Sequence, residues 1–497
     1  MTRDKAESSL KLWTPTTHTD TRCYLAIGEP VCSSCSGRDA AVAPAGTMGD
    51  GGGGGLDVVV FPWLAFGHMI PYLELSKRLA ARGHDVTFVS TPRNVSRLPP
   101  VPAGLSARLR FVSLPMPPVD GLPEGAESTA DVPPGNDELI KKACDGLAAP
   151  FAAFMADLVA AGGRKPDWII IDFAYHWLPP IAAEHNVPCA VFQIVQAAAI
   201  AFLGPRWANA AHPRAPLDFT APPRWFPPPS AMAYRRNEAR WVVGAFRPNA
   251  SGVSDIERMW RTIESCRFTI YRSCDEVEPG VLALLTDLFR RPAVPAGILL
   301  TPPPDLAAAA TDDDDVDGGS SGDRAETLRW LDEQPPNHAS AADADEFLPD
   351  GFEERTRGRG VVWTGWVPQV EVLAQAAVGA FLTHCGWGST IESLVFGHPL
   401  VMLPFVVDQG LVARAMAERG VGVEVAREDD DEGSFGRHDV AAAVRRVMVE
   451  DERKVFGENA RKMKEAVGDQ RRQEQYFDEL VELLHTGGGE INDEKYC

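Results

Sequence analysis

Short hydrophobic runs recur along the chain and alternate with segments in which apolar residues repeat every three or four positions. The first run, 56–63 (LDVVVFPW), is rich in valine, which is typical of a strand buried on both faces. Helical spacing follows, with Pro71 at the expected first helical position and Gly83 at the expected end. The next run, 85–91, completes a strand–helix–strand unit, which predicts a parallel sheet.

The same alternation continues and divides the chain into two α/β halves. Further buried strands are predicted at 166–172, 188–195, 360–366, 378–384, 399–405 and 421–426. Residues 301–330 consist of Pro, Ala, Asp and Gly–Ser runs that cannot build a core. The expected segments are 1–55, 56–300, 301–336, 337–470 and 471–497. The first is interpreted as a disordered extension, with Met48 as an alternative start, and the third as a linker.

Composition excludes several classes of partner. The formal charge of -21 over 497 residues argues against nucleic acid, because phosphate binding needs clustered Lys and Arg. Nine scattered cysteines, an odd number, indicate reduced thiols, and the Cys32–Cys35 pair lacks the second pair of a zinc site. The N-terminus has no apolar signal region, and the longest apolar stretch, 187–204, is a poor membrane span because polar residues and a proline interrupt it. A cytoplasmic monomer is expected.

One block of the second half carries the strongest signal. Residues 366–409 (WVPQVEVLAQAAVGAFLTHCGWGSTIESLVFGHPLVMLPFVVDQ) resemble the donor signature of plant family-1 UDP-sugar glycosyltransferases over its full length. The segment 61–94 (FPWLAFGHMIPYLELSKRLAARGHDVTFVSTPRN) resembles the opening motif of the same family. The resemblance implies the GT-B fold, in which two facing Rossmann-like, doubly wound α/β domains enclose a cleft. It also implies that 56–300 binds the acceptor, that 337–470 binds the UDP-sugar, and that a helix over 473–486 returns to the first domain.

The resemblance assigns a set of residues to the donor. They are Trp366, Val367, Gln369, His384, Trp387, Gly388, Ser389, Glu392, Asp408 and Gln409. His384 and Ser389 would contact the diphosphate at a helix N-terminus, where backbone amides bind anions. Glu392 would hold the ribose hydroxyls, although Ser389-x-x-Glu392 is also the pattern of a helix capping box.

The remaining donor contacts concern the uracil and the sugar. Trp366 would stack on the uracil ring, although a tryptophan after a strand is otherwise a core residue. Val367 and Gln369 would complete the uridine contacts. Asp408 and Gln409 would bind sugar hydroxyls, and a final Gln resembles the glucose-using pattern. UDP-glucose is therefore the expected co-substrate, with no separate cofactor and no metal.

Transfer to an alcohol needs a base, because a hydroxyl is a weak nucleophile at neutral pH. His68 lies just past the carboxyl end of the first strand and has the appropriate ordinary pKa. Asp172 ends the strand 166–172 and so reaches the same rim, where it would fix the tautomer of His68. The alternative is that His68 is a surface or packing residue. The family resemblance favours the catalytic pair and an inverting displacement.

The acceptor is predicted from aromatic residues and from three short sequence segments. The aromatic candidates for its pocket, any of which could instead be core, are Trp63, Tyr175, Trp177, Phe192, Phe202 and Trp207. FPWLAFGH, STPRNVSRLPP and GLPEGAESTADVP resemble the branch that adds a sugar to a diterpenoid or flavonoid glycoside. A small lipophilic glycoside is the expected acceptor.

Two departures from the family pattern bear on activity. The family has Asn where this chain has Gly388. Between Pro336 and Phe347 only ten residues stand where the family has a strand–helix–strand unit, so roughly forty residues are expected to be absent. The alternative function is therefore a catalytically impaired or non-catalytic relative.

Overall fold

The computed structural model describes residues 54–133, 135–160, 165–227, 230–300, 351–356, 367, 369–428 and 432–488. Several predictions lie outside these residues. They are the extension up to residue 53, the Cys32–Cys35 pair, the linker 301–336, the missing unit after Pro336, the strand 360–366 and Trp366.

The first domain is built on a seven-stranded parallel sheet in the order β3-β2-β1-β4-β5-β6-β7. Its strands are β1 (Asp57–Phe61), β2 (Asp85–Ser90), β3 (Leu109–Ser113), β4 (Trp168–Ile171), β5 (Cys189–Gln193), β6 (Phe268–Tyr271) and β7 (Ala293–Pro295). The sequence predicts β1, β2, β4 and β5 because their apolar runs are continuous. It misses β3, β6 and β7; β3 is partly exposed and β7 is a three-residue edge strand that ends in proline.

Helices flank this sheet on both faces. They are α1 (Phe66–Ala81), α2 (Pro92–Ser96), α3 (Asp137–Gly146), α4 (Ala148–Ala160), α5 (Leu178–Glu184), α6 (Ala197–Leu203), α7 (Arg206–Ala211), α8 (Arg236–Gly244), α9 (Asp255–Ser265) and α10 (Val281–Phe289). Single 3₁₀ turns occur at Ala103–Leu105, Thr129–Asp131 and Pro216–Thr220.

Helix α1 begins earlier than the sequence predicts. The carbonyl of Ala65 accepts hydrogen bonds from the amides of His68 and Met69, both at 2.9 Å, so the helix starts at Phe66. Pro71 therefore lies inside α1 rather than at its first position. His68 stands in the first turn of a helix and not in a loop, which fixes its backbone.

The second domain carries a parallel sheet that comprises, within the described residues, β8 (Phe381–Thr383), β9 (Leu400–Met402) and β10 (Gly422–Glu424). The helices of this half are α11 (Phe352–Thr356), α12 (Gln369–Ala374), α13 (Trp387–Phe396), α14 (Gln409–Glu418), α15 (Arg437–Met448) and α16 (Arg453–Val467). Because α13 links β8 to β9 and α14 links β9 to β10, both helices begin at the carboxyl edge of the sheet.

The last described helix, α17 (Gln470–His485), packs on the sheet of the first domain. Its buried Phe477, Leu480 and Leu484 share a hydrophobic cluster with Val58 of β1. The indole of Trp168 donates a hydrogen bond of 2.8 Å to the carbonyl of Leu484. The last described helix, α17, therefore contacts the first domain.

One helical stretch among the described residues, Asp137–Ala160, is long and apolar enough by length and composition to cross a membrane. Within the most apolar 18 residues of this stretch, 28% are buried inside the structure. Its residues Ile140, Cys144, Phe151 and Met155 are fully buried in the core of the first domain.

Candidate active site

His68 and Asp172 meet at the carboxyl edge of the first sheet. Nδ1 of His68 lies 2.8 Å from Oδ2 of Asp172, and the two side chains are 18% and 2% exposed. The carboxylate is itself held by the backbone amides of Trp63, at 3.0 Å, and Phe173, at 2.7 Å. A carboxylate at Nδ1 favours the tautomer that carries its proton there. Nε2 of His68 is then the nitrogen that can accept a proton from a substrate.

Asp408 brings the second domain to the same place. It caps the start of α14, and its Oδ2 accepts a hydrogen bond of 3.4 Å from the backbone amide of Gln196, which precedes α6 of the first domain. Burial raises the pKa of Asp408 to about 6, and the positive charge of a protonated His68 opposes that rise. The carboxylate of the second domain is therefore buried against the backbone of the first domain at Gln196.

Gln409 follows Asp408 and uses part of its side chain to shape its own loop. Its Oε1 accepts hydrogen bonds from the amides of Phe405 and Val406, at 2.9 and 3.0 Å. Val407, which lies between Val406 and Asp408, has a φ of 54°, an unfavourable conformation for a β-branched residue. The side-chain oxygen of Gln409 therefore stabilises the loop before α14, and its amide nitrogen takes no part in these two hydrogen bonds.

The polar residues at the start of α13 form a cluster with α12. Nε2 of Gln369 donates to Oγ of Ser389 at 3.2 Å and also to Oε2 of Glu392. The helix begins at Trp387 with Gly386 as its cap, so Ser389 is the third helical residue. The capping-box alternative for Ser389 and Glu392 is therefore wrong, because Ser389 does not occupy the cap position. Val367 is half-buried.

The loop before α13 is tightly folded. Cys385 has a φ of 67°, and a Cβ added at Gly386 would lie 2.6 Å from Nε2 of His384. A side chain at position 386 would therefore displace the ring of His384, which lies over the backbone there. Trp387 is buried, and its indole donates a 2.7 Å hydrogen bond to the carbonyl of Arg272 in the first domain. Trp387 thus joins the two domains at the start of α13.

The aromatic residues expected at the acceptor pocket are mostly in the core. Tyr175, Phe192 and Phe202 are fully buried, so the expectation that they supply acceptor surface is wrong. Phe192 lies in β5, which is buried along its whole length, and Phe202 lies in the buried helix α6. Trp207 is 55% exposed, with its indole bonded to the carbonyl of Leu288. Phe173, whose ring centroid is 5.8 Å from that of His68, is the aromatic neighbour that the sequence reasoning missed.

Two parallel α/β domains, which meet through Asp408 of the second and Gln196 of the first at the carboxyl ends of their strands, define a GT-B architecture. A structure of Glycyrrhiza uralensis UGT73P12, complexed with glycyrrhetinic acid 3-O-monoglucuronide, has the same fold. Its TM-score is 0.65 at 19% identity, and the match covers 89% of this chain and 97% of that one.

The sequence comparisons are more specific. The family model described as "UDP-glucoronosyl and UDP-glucosyl transferase" matches residues 345–471. UDP-glycosyltransferase 91C1 of Arabidopsis thaliana is 38% identical over 465 residues, which covers 87% of this chain and 97% of that protein. The soyasaponin III rhamnosyltransferase of Glycine max is 33% identical, with coverage of 86% and 95%. The chain belongs to the plant family-1 UDP-glycosyltransferases and is an enzyme that uses a UDP-sugar donor and an acceptor substrate.

Proposed function

We propose that this enzyme transfers glucose from UDP-glucose to a hydroxyl of a small lipophilic glycoside, with inversion at the anomeric carbon. The observation that carries the proposal is the 2.8 Å contact between His68 and Asp172 at the carboxyl edge of the first sheet. The pair supplies a base on the acceptor side, and the start of α13 supplies anion-binding amides on the donor side.

In the proposed reaction, Nε2 of His68 takes the proton of the acceptor hydroxyl. The acceptor oxygen forms a bond to the anomeric carbon of the sugar, and the bond from that carbon to the diphosphate oxygen breaks with its electron pair going to UDP. Asp172 stabilises the imidazolium that forms. The amides at the start of α13, with His384 and Ser389 beside them, stabilise the leaving diphosphate.

The choice of glucose rests on Asp408 and Gln409, the acidic–amide pair that ends the donor block, because a final Gln resembles the glucose-using pattern. The Glycine max relative is named a rhamnosyltransferase, so UDP-rhamnose is the competing donor. The choice of a glycoside acceptor rests on the branch-like phrases of the first domain and on the glucuronide bound by the Glycyrrhiza protein. A cytoplasmic monomer without a metal requirement completes the proposal.

The deciding experiment is turnover of UDP-glucose, UDP-galactose and UDP-rhamnose against flavonoid and terpenoid glycosides and their aglycones, with products identified by mass spectrometry and NMR. A β-linked glucosyl product from UDP-glucose, formed faster on glycosides than on aglycones, supports the proposal. Faster transfer from UDP-rhamnose than from UDP-glucose would refute UDP-glucose as the donor. Absence of transfer with any donor would favour the impaired relative that Gly388 and the gap after Pro336 suggest.

A further inference from the structure

Tyr175 follows Asp172 by three residues and is fully buried in the core of the first domain. Its ring stacks on that of Phe61 in β1, with the two ring centroids 4.2 Å apart. A buried phenol needs a partner for its hydroxyl, and Tyr175 donates a hydrogen bond of 2.8 Å to the backbone carbonyl of Pro62. Burial raises the pKa of this hydroxyl well above its ordinary value, so it remains a protonated donor. The hydroxyl therefore ties the segment after β4 to the segment after β1.

The carbonyl of Pro62 and the amide of Trp63 belong to one peptide unit. That amide donates a hydrogen bond of 3.0 Å to Oδ2 of Asp172, the same oxygen that lies 2.8 Å from Nδ1 of His68. Because a trans peptide is planar and its C=O and N–H point in opposite directions, a partner on the carbonyl fixes the direction of the amide. Hydrogen bonds linked in this way also polarise and strengthen one another. A continuous chain of hydrogen bonds therefore leads from Tyr175 through this peptide and Asp172 to His68.

The segment that carries the phenol is itself held by α9. Oγ1 of Thr262 donates a hydrogen bond of 3.0 Å to the carbonyl of Phe173. Arg258, which is completely buried, donates one of 3.0 Å to the carbonyl of Ala174. The two residues between Asp172 and the phenol are therefore fixed through their backbone, so the hydroxyl acts on the neighbouring loop from a rigid support.

We propose that Tyr175 is a positioning residue of the transfer reaction, whose hydroxyl holds the Pro62–Trp63 peptide so that its amide keeps Asp172 oriented toward Nδ1 of His68. Without the hydroxyl, the peptide is free to rotate, and Oδ2 of Asp172 loses one of the donors that orient it. The tautomer with its proton on Nδ1 is then less favoured, and fewer molecules present a free Nε2 to the acceptor hydroxyl. The inference rests on the proposed function, because it assumes that His68 is the base.

The kinetic test compares Tyr175→Phe with the parent enzyme. Phenylalanine keeps the ring that stacks on Phe61 and removes only the hydroxyl. We expect kcat to fall by about 2- to 10-fold, which corresponds to the loss of one neutral hydrogen bond. KM for both substrates, and UDP binding measured by calorimetry, should be unchanged, because the peptide and the carboxylate act on the base and not on the donor.

The tautomer of His68 gives a second, spectroscopic readout. Nitrogen-15 NMR of histidine-labelled protein, with the His68 signals assigned by their loss in His68→Ala, should show a smaller fraction of the Nδ1–H tautomer in Tyr175→Phe. Tyr476→Phe is the matched control, because Tyr476 is also buried and its hydroxyl bonds the carboxylate of Glu276 at 3.0 Å. The control should change neither kcat nor the tautomer.

A double-mutant cycle tests the route through Asp172. Asp172→Asn removes the carboxylate on which the chain of hydrogen bonds depends, so Tyr175→Phe should lower kcat by less than about two-fold in that background. An equal loss of kcat in both backgrounds would overturn the inference, since Tyr175 would then act independently of Asp172. A lower melting temperature with an unchanged tautomer would overturn it too, because the hydroxyl would then serve stability alone.

Two of these readouts do not depend on turnover. If the parent transferred no sugar from any donor, the proposed function would fail, and the NMR comparison would still decide whether Tyr175 orients Asp172. The parent also offers a measurement that needs no variant: its Trp63 amide proton should exchange slowly with solvent. Fast exchange of that proton would show that the peptide is not held and would overturn the inference.

Discussion

Nη2 of Arg414 lies 2.5 Å from Oε2 of Glu238, and this ion pair joins α14 of the second domain to α8 of the first. The side chains are 10% and 4% exposed. Glu424 of β10 extends the pair, because it lies 3.3 Å from Arg414 and 2.9 Å from Arg235. Helix α14 begins directly after Asp408. The ion pair therefore helps to fix Asp408 and Gln409 relative to the first domain, which carries His68.

Glu238→Gln is expected to lower the free energy of unfolding by about 2–3 kcal/mol and to raise KM for UDP-glucose. The reason is that a buried guanidinium loses a charged partner. Chemical denaturation and donor kinetics measure both effects. Glu452→Gln, in the exposed pair with Arg446, is the control and should change neither. Equal behaviour of the two variants would contradict a structural role for the buried pair.

Gly410→Ala should be destabilising although the position is helical. Alanine normally stabilises a helix by up to about 1 kcal/mol relative to glycine. Here a Cβ would lie 2.6 Å from Oε2 of Glu238 and would displace the ion pair. Gly457→Ala on α16 is the matched control, because nothing lies within 4 Å of its Cβ position. Melting temperatures should move in opposite directions for the two variants; a rise for both would count against the prediction.

His68→Ala should abolish transfer and leave UDP binding nearly intact, because His68 belongs to the first domain and the donor block to the second. Loss of general base catalysis lowers the rate by about 10²–10⁴-fold. Asp172→Asn should also lower kcat, since the amide cannot favour the correct tautomer. Exposed His438 provides the control substitution to Ala. Residual turnover above about a tenth of the parent rate in His68→Ala would refute the base assignment.

Asp408→Asn should stabilise the protein at neutral pH and lower its activity. The pKa of Asp408 is raised to about 6 in the folded state, so its ionisation opposes folding above that pH. The penalty is about 2–3 kcal/mol at pH 7 and disappears as the pH falls from 6 to 4, where folding favours the protonated acid. The gain in unfolding free energy of Asp408→Asn over the parent should therefore shrink between pH 7 and pH 4. A gain that is independent of pH would show that the carboxylate is not buried in its charged form.

Gln409→Glu separates the two uses of the Gln409 side chain. The carboxylate keeps an acceptor for the amides of Phe405 and Val406, so the melting temperature should be preserved. It removes the amide donor that is proposed to bind the sugar, so KM for UDP-glucose should rise by about ten-fold. Gln409→Ala should lower both stability and donor affinity. If Gln409→Glu binds UDP-glucose as the parent does, the amide nitrogen makes no sugar contact.

The parallel α/β organisation was predictable because a strand buried on both faces is a continuous apolar run. Once β1 and β4 were predicted, His68 and Asp172 followed, since residues that come just after parallel strands meet at one edge of the sheet. The start of α1 was misplaced because Pro71 resembles a first helical residue. The aromatic residues were misassigned because hydrophobicity does not distinguish a core from a pocket wall.

The sequence by itself determined the family, the donor block and the elements that carry the catalytic pair, because these depend on local pattern and on motif order. Tertiary structure alone decided the contacts between the domains. Gln196 reaches Asp408, Arg272 reaches α13 and Glu238 reaches Arg414 across sequence separations of more than a hundred residues. No local periodicity specifies such pairs, since they form only when the two domains pack against each other.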